Sequence, residues 1–274
     1  DVNTLHREPA PALELNEIGR CEIQLDDNIM FDAYKRNRST GSMVIIDRIT
    51  NVSVGAVMIL DEMQSSDARD HWDAEPASTS MHQEPSQVTD EEREARFGQR
   101  GATVLITGLT GSGKRLVAHA LERRLFDSGR ACTLLDGPKM RLGVSKDLGF
   151  TPEGRSENMR RAAECARLLN EAGLITIASF LAPRKEVRDK ARDVVGSDRF
   201  IEVFLDVPLE VCRERDTNGM YALADSGEIQ DFPGVTSPYE EPVAADLTLA
   251  PHTDALDASV EKILELLKQR GFIR

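Results

Sequence analysis

A three-layer α/β architecture with a mostly parallel sheet is the fold class predicted for the larger part of this sequence, on three observations. From residue 101 onward, short apolar runs alternate with segments of helical periodicity. The first run and the first helix are joined by Gly108-Leu109-Thr110-Gly111-Ser112-Gly113-Lys114-Arg115, which fits the pattern G-x-x-x-x-G-K-[ST] everywhere except its last position. Ahead of residue 101 the composition changes twice, first to β-branched alternation and then to a polar stretch.

Taken in chain order, Ile18 to Leu25, Ser42 to Asp47 and Val52 to Ile59 alternate in polarity, and Asp26-Asp27-Asn28 and Thr40-Gly41 divide them as turns. They predict a small all-β unit over residues 1–60, too short to build a large core alone. Residues 61–89 are rich in Ser, Asp, Glu, Pro and Gln and predict a solvated linker. Thr89 to Phe97 reads as a short helix with acids in its first turn, which completes a linking region over 61–100. In the remainder, 101–274, Ala102 to Thr107 is an apolar run short enough for a buried strand. Leu116, Val117, Ala120, Leu121 and Leu125 recur at helical spacing up to Gly129. Strands follow at Ala131–Leu135, Leu174–Leu181, Phe200–Asp206 and Asp246–Ala250. Helices follow at Ser156–Ala172, Lys185–Val195 and Asp254–Arg270, the last with Val260, Ile263, Leu264 and Leu267 on one face. Such βα repetition implies helices on both faces of a parallel sheet, with ligands beyond the C-terminal strand ends, where Gly108, Asp136, Phe180 and Asp206 fall.

Bulk properties bound the function. The formal charge is −13, from 34 Lys and Arg against 47 Asp and Glu. Residues 1–100 carry 10 basic and 20 acidic groups, and residues 101–274 carry 24 and 27. That balance argues against general nucleic-acid binding. No apolar run approaches the ~20 residues that span a bilayer, and no signal-peptide pattern opens the chain, so no membrane partner is expected. Cys21, Cys132, Cys165 and Cys212 lack metal-ligand spacing and sit in or beside apolar segments. Free thiols of that kind suit a reducing, cytoplasmic location. The first residue is Asp1 rather than Met, the pattern expected of a fragment or trimmed chain.

The glycine loop carries the clearest chemistry. A strand, a glycine loop and a helix N-terminus aim backbone N–H groups at a phosphate chain, with Lys114 as a point charge beside it. A Gly-rich turn without chemistry is the bland alternative. At position 115 an arginine stands where a hydroxyl normally helps to hold Mg²⁺, so the pattern supports nucleotide binding better than turnover. Asp136, at a strand end before Gly137, reads equally well as an acid facing a metal or hydroxyl and as a turn former. Arg141, Phe150 and Arg155 read as loop residues suited to a nucleotide, with guanidinium for phosphate or sulfate and ring for base. Arg160 and Arg161, flanked by Glu157 and Glu164, read as an ordinary solvated helix face.

Residues 101–242 resemble adenylylsulfate kinase, a P-loop NTPase-type enzyme, in an ordered series of segments. These are GLTGSGK at 108–114, LLDG at 134–137, KDLGF at 146–150 with Arg155 and Glu157-Asn158 behind it, and FLAP at 180–183. EVFLDVPLEVC at 202–212 and GEIQDFPGVTSPYE at 227–240 complete the series. Residues 1–60 are similar to the last strands of the C-terminal β-barrel of the GTP-driven large subunit of sulfate adenylyltransferase. That similarity rests on LHREPAPALELNEIGRCEIQL and FDAYKRNRSTGSMVIIDRITN. In bifunctional members of that family this barrel precedes the kinase.

The resemblance implies transfer of the ATP γ-phosphate to the 3′-hydroxyl of adenosine 5′-phosphosulfate (APS), with ATP and Mg²⁺ as cofactors. It implies that residues 108–115 hold ATP, and that Lys114 and Asp136 are catalytic. Arg141 and Arg155 would hold the phosphosulfate, Phe150 and Phe232 would sandwich the adenine, and Asn158 would supply a polar contact. It also implies a homodimer, with further sulfate adenylyltransferase subunits as partners. The metal side departs from the family pattern, and no metal ligand is assigned. GSGKS has become GSGKR, DGDN has become Asp136-Gly137-Pro138-Lys139, FISP has become Phe180-Leu181-Ala182-Pro183, and the lid run 216–224 has lost its lysines. Such losses remove several kcal/mol of transition-state stabilisation, since one donor alone can be worth ~3 kcal/mol. Three readings therefore stand: an active kinase, a catalytically impaired sulfonucleotide-binding regulatory or scaffold domain, and, ranked last, a diverged fusion remnant that keeps the fold but binds no ligand.

Overall fold

A computed structural model describes residues 18–19, 29–30, 32, 34–48, 50–59, 72, 84 and 86–274. The chain divides into two compact units, residues 1–66 and 67–274. In the first, β1 (Ser42–Ile46) and β2 (Ser53–Met58) form an antiparallel hairpin, with Ser42 opposite Met58 and a register shift after Ile45. Asp47 shapes the turn, because its Oδ1 accepts from Thr50 N at 2.6 Å and from Thr50 Oγ1 at 2.7 Å. Most of the strand expected at 18–25, and Cys21 with it, lies outside the described residues.

The second unit opens with α1 (Asp90–Phe97), started by a reciprocal capping box between Thr89 and Glu92 and closed by Gly98 in the left-handed region. Then follow β3 (Ala102–Thr107), α2 (Lys114–Asp127), β4 (Cys132–Asp136), α3 (Gly137–Arg141), α4 (Pro152–Glu171) and β5 (Ile175–Ser179). The chain continues through α5 (Lys185–Val195), β6 (Phe200–Leu205), α6 (Leu209–Glu214), α7 (Met220–Asp225), β7 (Leu247–Leu249) and α8 (Leu256–Gln269). The five strands of this unit run in the order β4-β5-β3-β6-β7, all parallel.

Both faces of this sheet are covered, as an all-parallel sheet requires. Val104 and Ile106 of β3 point to one side, into a core with Val117, Leu121 and Leu125 of α2 and Val260, Ile263 and Leu267 of α8. Leu105 points to the other, among Met159, Ala162 and Ala166 of α4 and Val187 and Ala191 of α5. The α/β fold class expected from the sequence is therefore the one observed, in three layers. Gln99, buried at the start of β3, donates to the carbonyls of Ala131 and Gly173 and accepts from Ala131 N, tying the entries of β4 and β5 together.

Three local expectations need correction. The helix expected from Ser156 begins at Pro152, where Thr151 accepts from Gly154 N and proline occupies the first turn. Arg155 is therefore in that helix, and Arg141 is in the short α3, rather than in loops. Trp72, in the stretch expected to be a solvated linker, is half-buried against the α4–α5 core and donates from Nε1 to Ser156 Oγ at 2.9 Å.

Candidate functional site

The glycine loop lies between the C-terminal end of β3 and the first turn of α2, and its backbone is not optional. Gly108 and Gly111 have φ of 151° and 81°. A Cβ on Gly111 would stand 2.6 Å from Cys212 O, and one on Gly108 would stand 2.8 Å from Ser112 Oγ. Lys114 folds back on the loop, donating from Nζ to Gly108 O at 2.8 Å and Leu109 O at 2.6 Å. Burial pulls its pKa down to about 8, against a small opposing effect of Cys212.

Asp136 ends β4 and caps α3, its Oδ1 accepting from Lys139 N at 2.7 Å. The other carboxylate oxygen, Oδ2, lies 3.3 Å from Arg115 Nε. The arginine that replaces the expected hydroxyl thus pairs with the acid that remains. Lys139 turns back along β4, donating from Nζ to Leu134 O at 2.8 Å. These residues do not fit a protein-held Mg²⁺. A magnesium ion asks for octahedral oxygen ligands, yet both oxygens of Asp136 face N–H donors and position 115 offers no oxygen. Among the described residues no group of three His, Cys, Asp or Glu side chains could hold a metal.

A second cluster forms around the start of α4. Arg155 bridges two segments, donating from Nε to Phe150 O at 2.8 Å and from Nη2 to Asp231 O at 2.7 Å. Arg141 donates to Gly149 O and stacks over the Phe150 ring at 4.4 Å. Arg155 and Arg141 thus fix the carbonyls of Gly149 and Phe150, while the Phe150 ring remains largely exposed. Phe232, one residue beyond Asp231, is buried edge-on against Tyr221 with centroids 4.9 Å apart. Its ring face is covered in this conformation, whereas Phe150 presents one face to Arg141. Asn158 is buried, and its Oδ1 has no hydrogen-bond partner. A buried carbonyl oxygen left in that state is a natural acceptor for a ligand donor.

Sequence reasoning missed the role of Glu157, Arg160 and Arg161. Glu157 is 2% exposed and accepts from Arg160 Nε at 2.7 Å, Arg160 Nη2 at 2.8 Å and Arg161 Nε at 2.8 Å. Arg161 also reaches Asp147 and Val144 O, which fastens the 144–147 loop to α4. The expected solvated face is instead a half-buried ionic brace. The signal was present in Glu157 itself, a carboxylate three and four residues ahead of two arginines on one face.

A cap made by α6, α7 and residues 226–240 covers the glycine loop. Tyr221 Oη donates to Thr110 O at 2.7 Å, and Leu109 packs with Val207, Tyr221 and Phe232. The cap is pinned at its far end by Glu240, which donates from N to Pro183 O at 2.8 Å and accepts from Lys185 N at 2.6 Å. Ala182, in the segment 180–183, takes φ 40° and is held there by Arg188 Nη1, which donates to its carbonyl at 2.8 Å.

A parallel sheet with a glycine loop after its central strand, a lysine in that loop and a cap across it defines a P-loop kinase-type protein. Residues 100–250 match the family model for adenylylsulphate kinase, and residues 1–60 match the model for GTP-eEF1A C-terminal domain-like proteins. The bifunctional enzyme CysN/CysC of Rhodopirellula baltica is 50% identical over 274 residues, which is 100% of this chain and 42% of that protein. Among solved structures, the APS kinase CysC of Mycobacterium tuberculosis in complex with AMPPNP and APS is 42% identical, with a TM-score of 0.59. The match covers 62% of this chain and 99% of that one. A hexameric APS kinase from Thiobacillus denitrificans is 28% identical with a TM-score of 0.50, over 67% of this chain and 32% of that one. The chain belongs to the adenylylsulphate kinase family, and it spans about two-fifths of the length of the curated bifunctional relatives it matches.

Proposed function

We propose that residues 101–274 act as an adenylylsulfate kinase: ATP + APS → ADP + 3′-phosphoadenosine 5′-phosphosulfate. The observation that supports this best is the pairing, on one parallel sheet, of the glycine loop with Lys114 after β3 and, after β4, a cluster that holds Arg141, Phe150, Arg155 and the unpartnered oxygen of Asn158. In this reading the amides of residues 108–115 and the Lys114 ammonium take the β- and γ-phosphates. Arg141 and Arg155 exchange their carbonyl partners for the phosphosulfate, and Asn158 accepts from the nucleotide. Phe150 and Phe232 take the adenine once the cap opens the Phe232 face. The 3′-oxygen then attacks the γ-phosphorus in line, the bond to the β-phosphate oxygen breaks, and the hydroxyl proton leaves toward Asp136. Positioning supplies most of the rate, as phosphoryl transfer allows.

Residues 1–60 are, on this proposal, the end of a β-barrel belonging to a sulfate adenylyltransferase large subunit, with 61–100 linking it to the kinase. Self-association and contact with other sulfate-activating subunits are part of the same proposal. The free thiols of Cys132, Cys165 and Cys212 suit a cytoplasmic setting, and no described helix is long and apolar enough to cross a membrane. The test is ADP release on adding APS to the purified chain with ATP. APS-dependent release that disappears in Lys114→Ala is expected; a rate equal to that of Lys114→Ala would reject the proposal.

A pH signature follows from the same lysine. In the free loop Lys114 loses its proton at about 8, and bound phosphate would hold the proton on by its charge. ATP binding should therefore be at full strength below about pH 8 and weaken as pH rises through it, with uptake of up to one proton. Calorimetry at pH 8.5 in buffers of different ionisation enthalpy measures that uptake. It should vanish in Lys114→Arg, which stays charged throughout.

A further inference from the structure

The fit of residues 108–139 to a nucleotide differs from the family pattern in one coherent way. Where a hydroxyl and a carboxylate would normally meet through a divalent cation, Arg115 and Asp136 meet directly, Nε to Oδ2 at 3.3 Å. The remaining carboxylate oxygen is taken by Lys139 N, and the Lys139 ammonium is drawn off to Leu134 O. Arg115 therefore brings a guanidinium cation to this corner.

We propose that Arg115 replaces the divalent cation at this site, so that the chain binds the triphosphate of a nucleotide without magnesium. Three features support it. The side chain of Arg115 is 65% exposed at the mouth of the loop, while the Asp136 side chain it leans on is 8% exposed. The buried acid thus holds the guanidinium by its charge, while most of the arginine side chain stays open to the solvent from which a phosphate arrives. The first turn of α2 contains Lys114 and Arg115 and no acidic residue, so the helix N-terminus adds to their field rather than opposing it. The oxygen ligands that would make a metal preferable to a guanidinium are missing from this corner, as shown above.

This inference rests on the proposed ATP site, and a binding measurement separates the two. ATP is titrated calorimetrically into the full chain, once with magnesium chloride and once with EDTA, for the wild type, Arg115→Ser and Arg115→Lys. The wild type is expected to bind with dissociation constants within about threefold in the two buffers. Arg115→Ser should weaken metal-free binding tenfold or more and recover part of the loss when magnesium is added. Arg115→Lys should keep most of the metal-free affinity, since it keeps the charge. Wild-type binding that tightens tenfold or more with magnesium overturns this inference and leaves the kinase proposal standing. Unchanged metal-free affinity in Arg115→Ser overturns it equally. No binding in either buffer by a folded wild type, checked by its thermal melt, removes both.

Discussion

Replacing Lys114 by methionine is expected to raise the melting temperature at pH 7 by about 3–6 °C while removing ATP binding. The two effects have one cause. The fall of the lysine pKa from 10.5 to about 8 means that its charge is disfavoured inside the folded loop by a few kcal/mol. Two carbonyls, Gly108 O and Leu109 O, offset part of that penalty through hydrogen bonds of 2.8 and 2.6 Å. Methionine keeps the stem and loses the ammonium, for a net gain of about 1–2 kcal/mol, and a domain of this size shifts by ~2–4 °C per kcal/mol. The pH dependence fixes the sign. Lys114 is protonated in both states below about pH 8, and between about 8 and 10.5 the unfolded chain binds more protons than the folded one. Wild-type stability therefore rises with pH across that window relative to the variant, and the gap between the two should narrow. Melts at pH 7 and pH 9.5 measure both points. A melting temperature lowered by Lys114→Met at pH 7 would show that the two hydrogen bonds outweigh the burial of the charge.

Where a property depended on neighbours in the chain, it was legible in the sequence. Ala102–Thr107 reads as a strand because six consecutive residues suit burial on both faces, and all six are buried. The loop at 108–115 reads from its glycines because few backbones allow positive φ at Gly108, Gly111 and Gly113. Partners distant in sequence were not legible. Nothing in Gln99 announces that its amide joins two strand entries, and nothing in Trp72 announces a hydrogen bond to Ser156. The start of α4 could have been found, since Thr151-Pro152 is a helix-opening pair, but periodicity in apolar residues becomes visible only a turn later. The direct pairing of Arg115 with Asp136 joins residues 21 positions apart, so it needed the fold to bring the start of α2 to the C-terminal end of β4.

Glu157→Ala is expected to cost about 2–4 kcal/mol of stability, lowering the melting temperature by roughly 5–12 °C. The carboxylate is the buried member of the brace, and its removal strands the Arg160 guanidinium, whose pKa is raised chiefly by hydrogen bonding to Glu157. Arg161 is better provided for, because its strongest partner is Asp147. The loss should therefore fall short of that for a fully buried pair. Glu164→Ala on the same helix is the control: that carboxylate is 39% exposed and pairs with an equally accessible Arg167, so its removal should cost no more than ~1 kcal/mol. Function should follow stability here for a local reason. Glu157 sits between Arg155 and Asn158, so α4 must keep its register for both to serve the proposed sulfonucleotide site. Glu157→Ala should therefore weaken APS binding more than ATP binding, whereas Glu164→Ala should change neither. Equal costs for the two variants would mean that the brace is only a solvated face, and that the burial of Glu157 stabilises nothing.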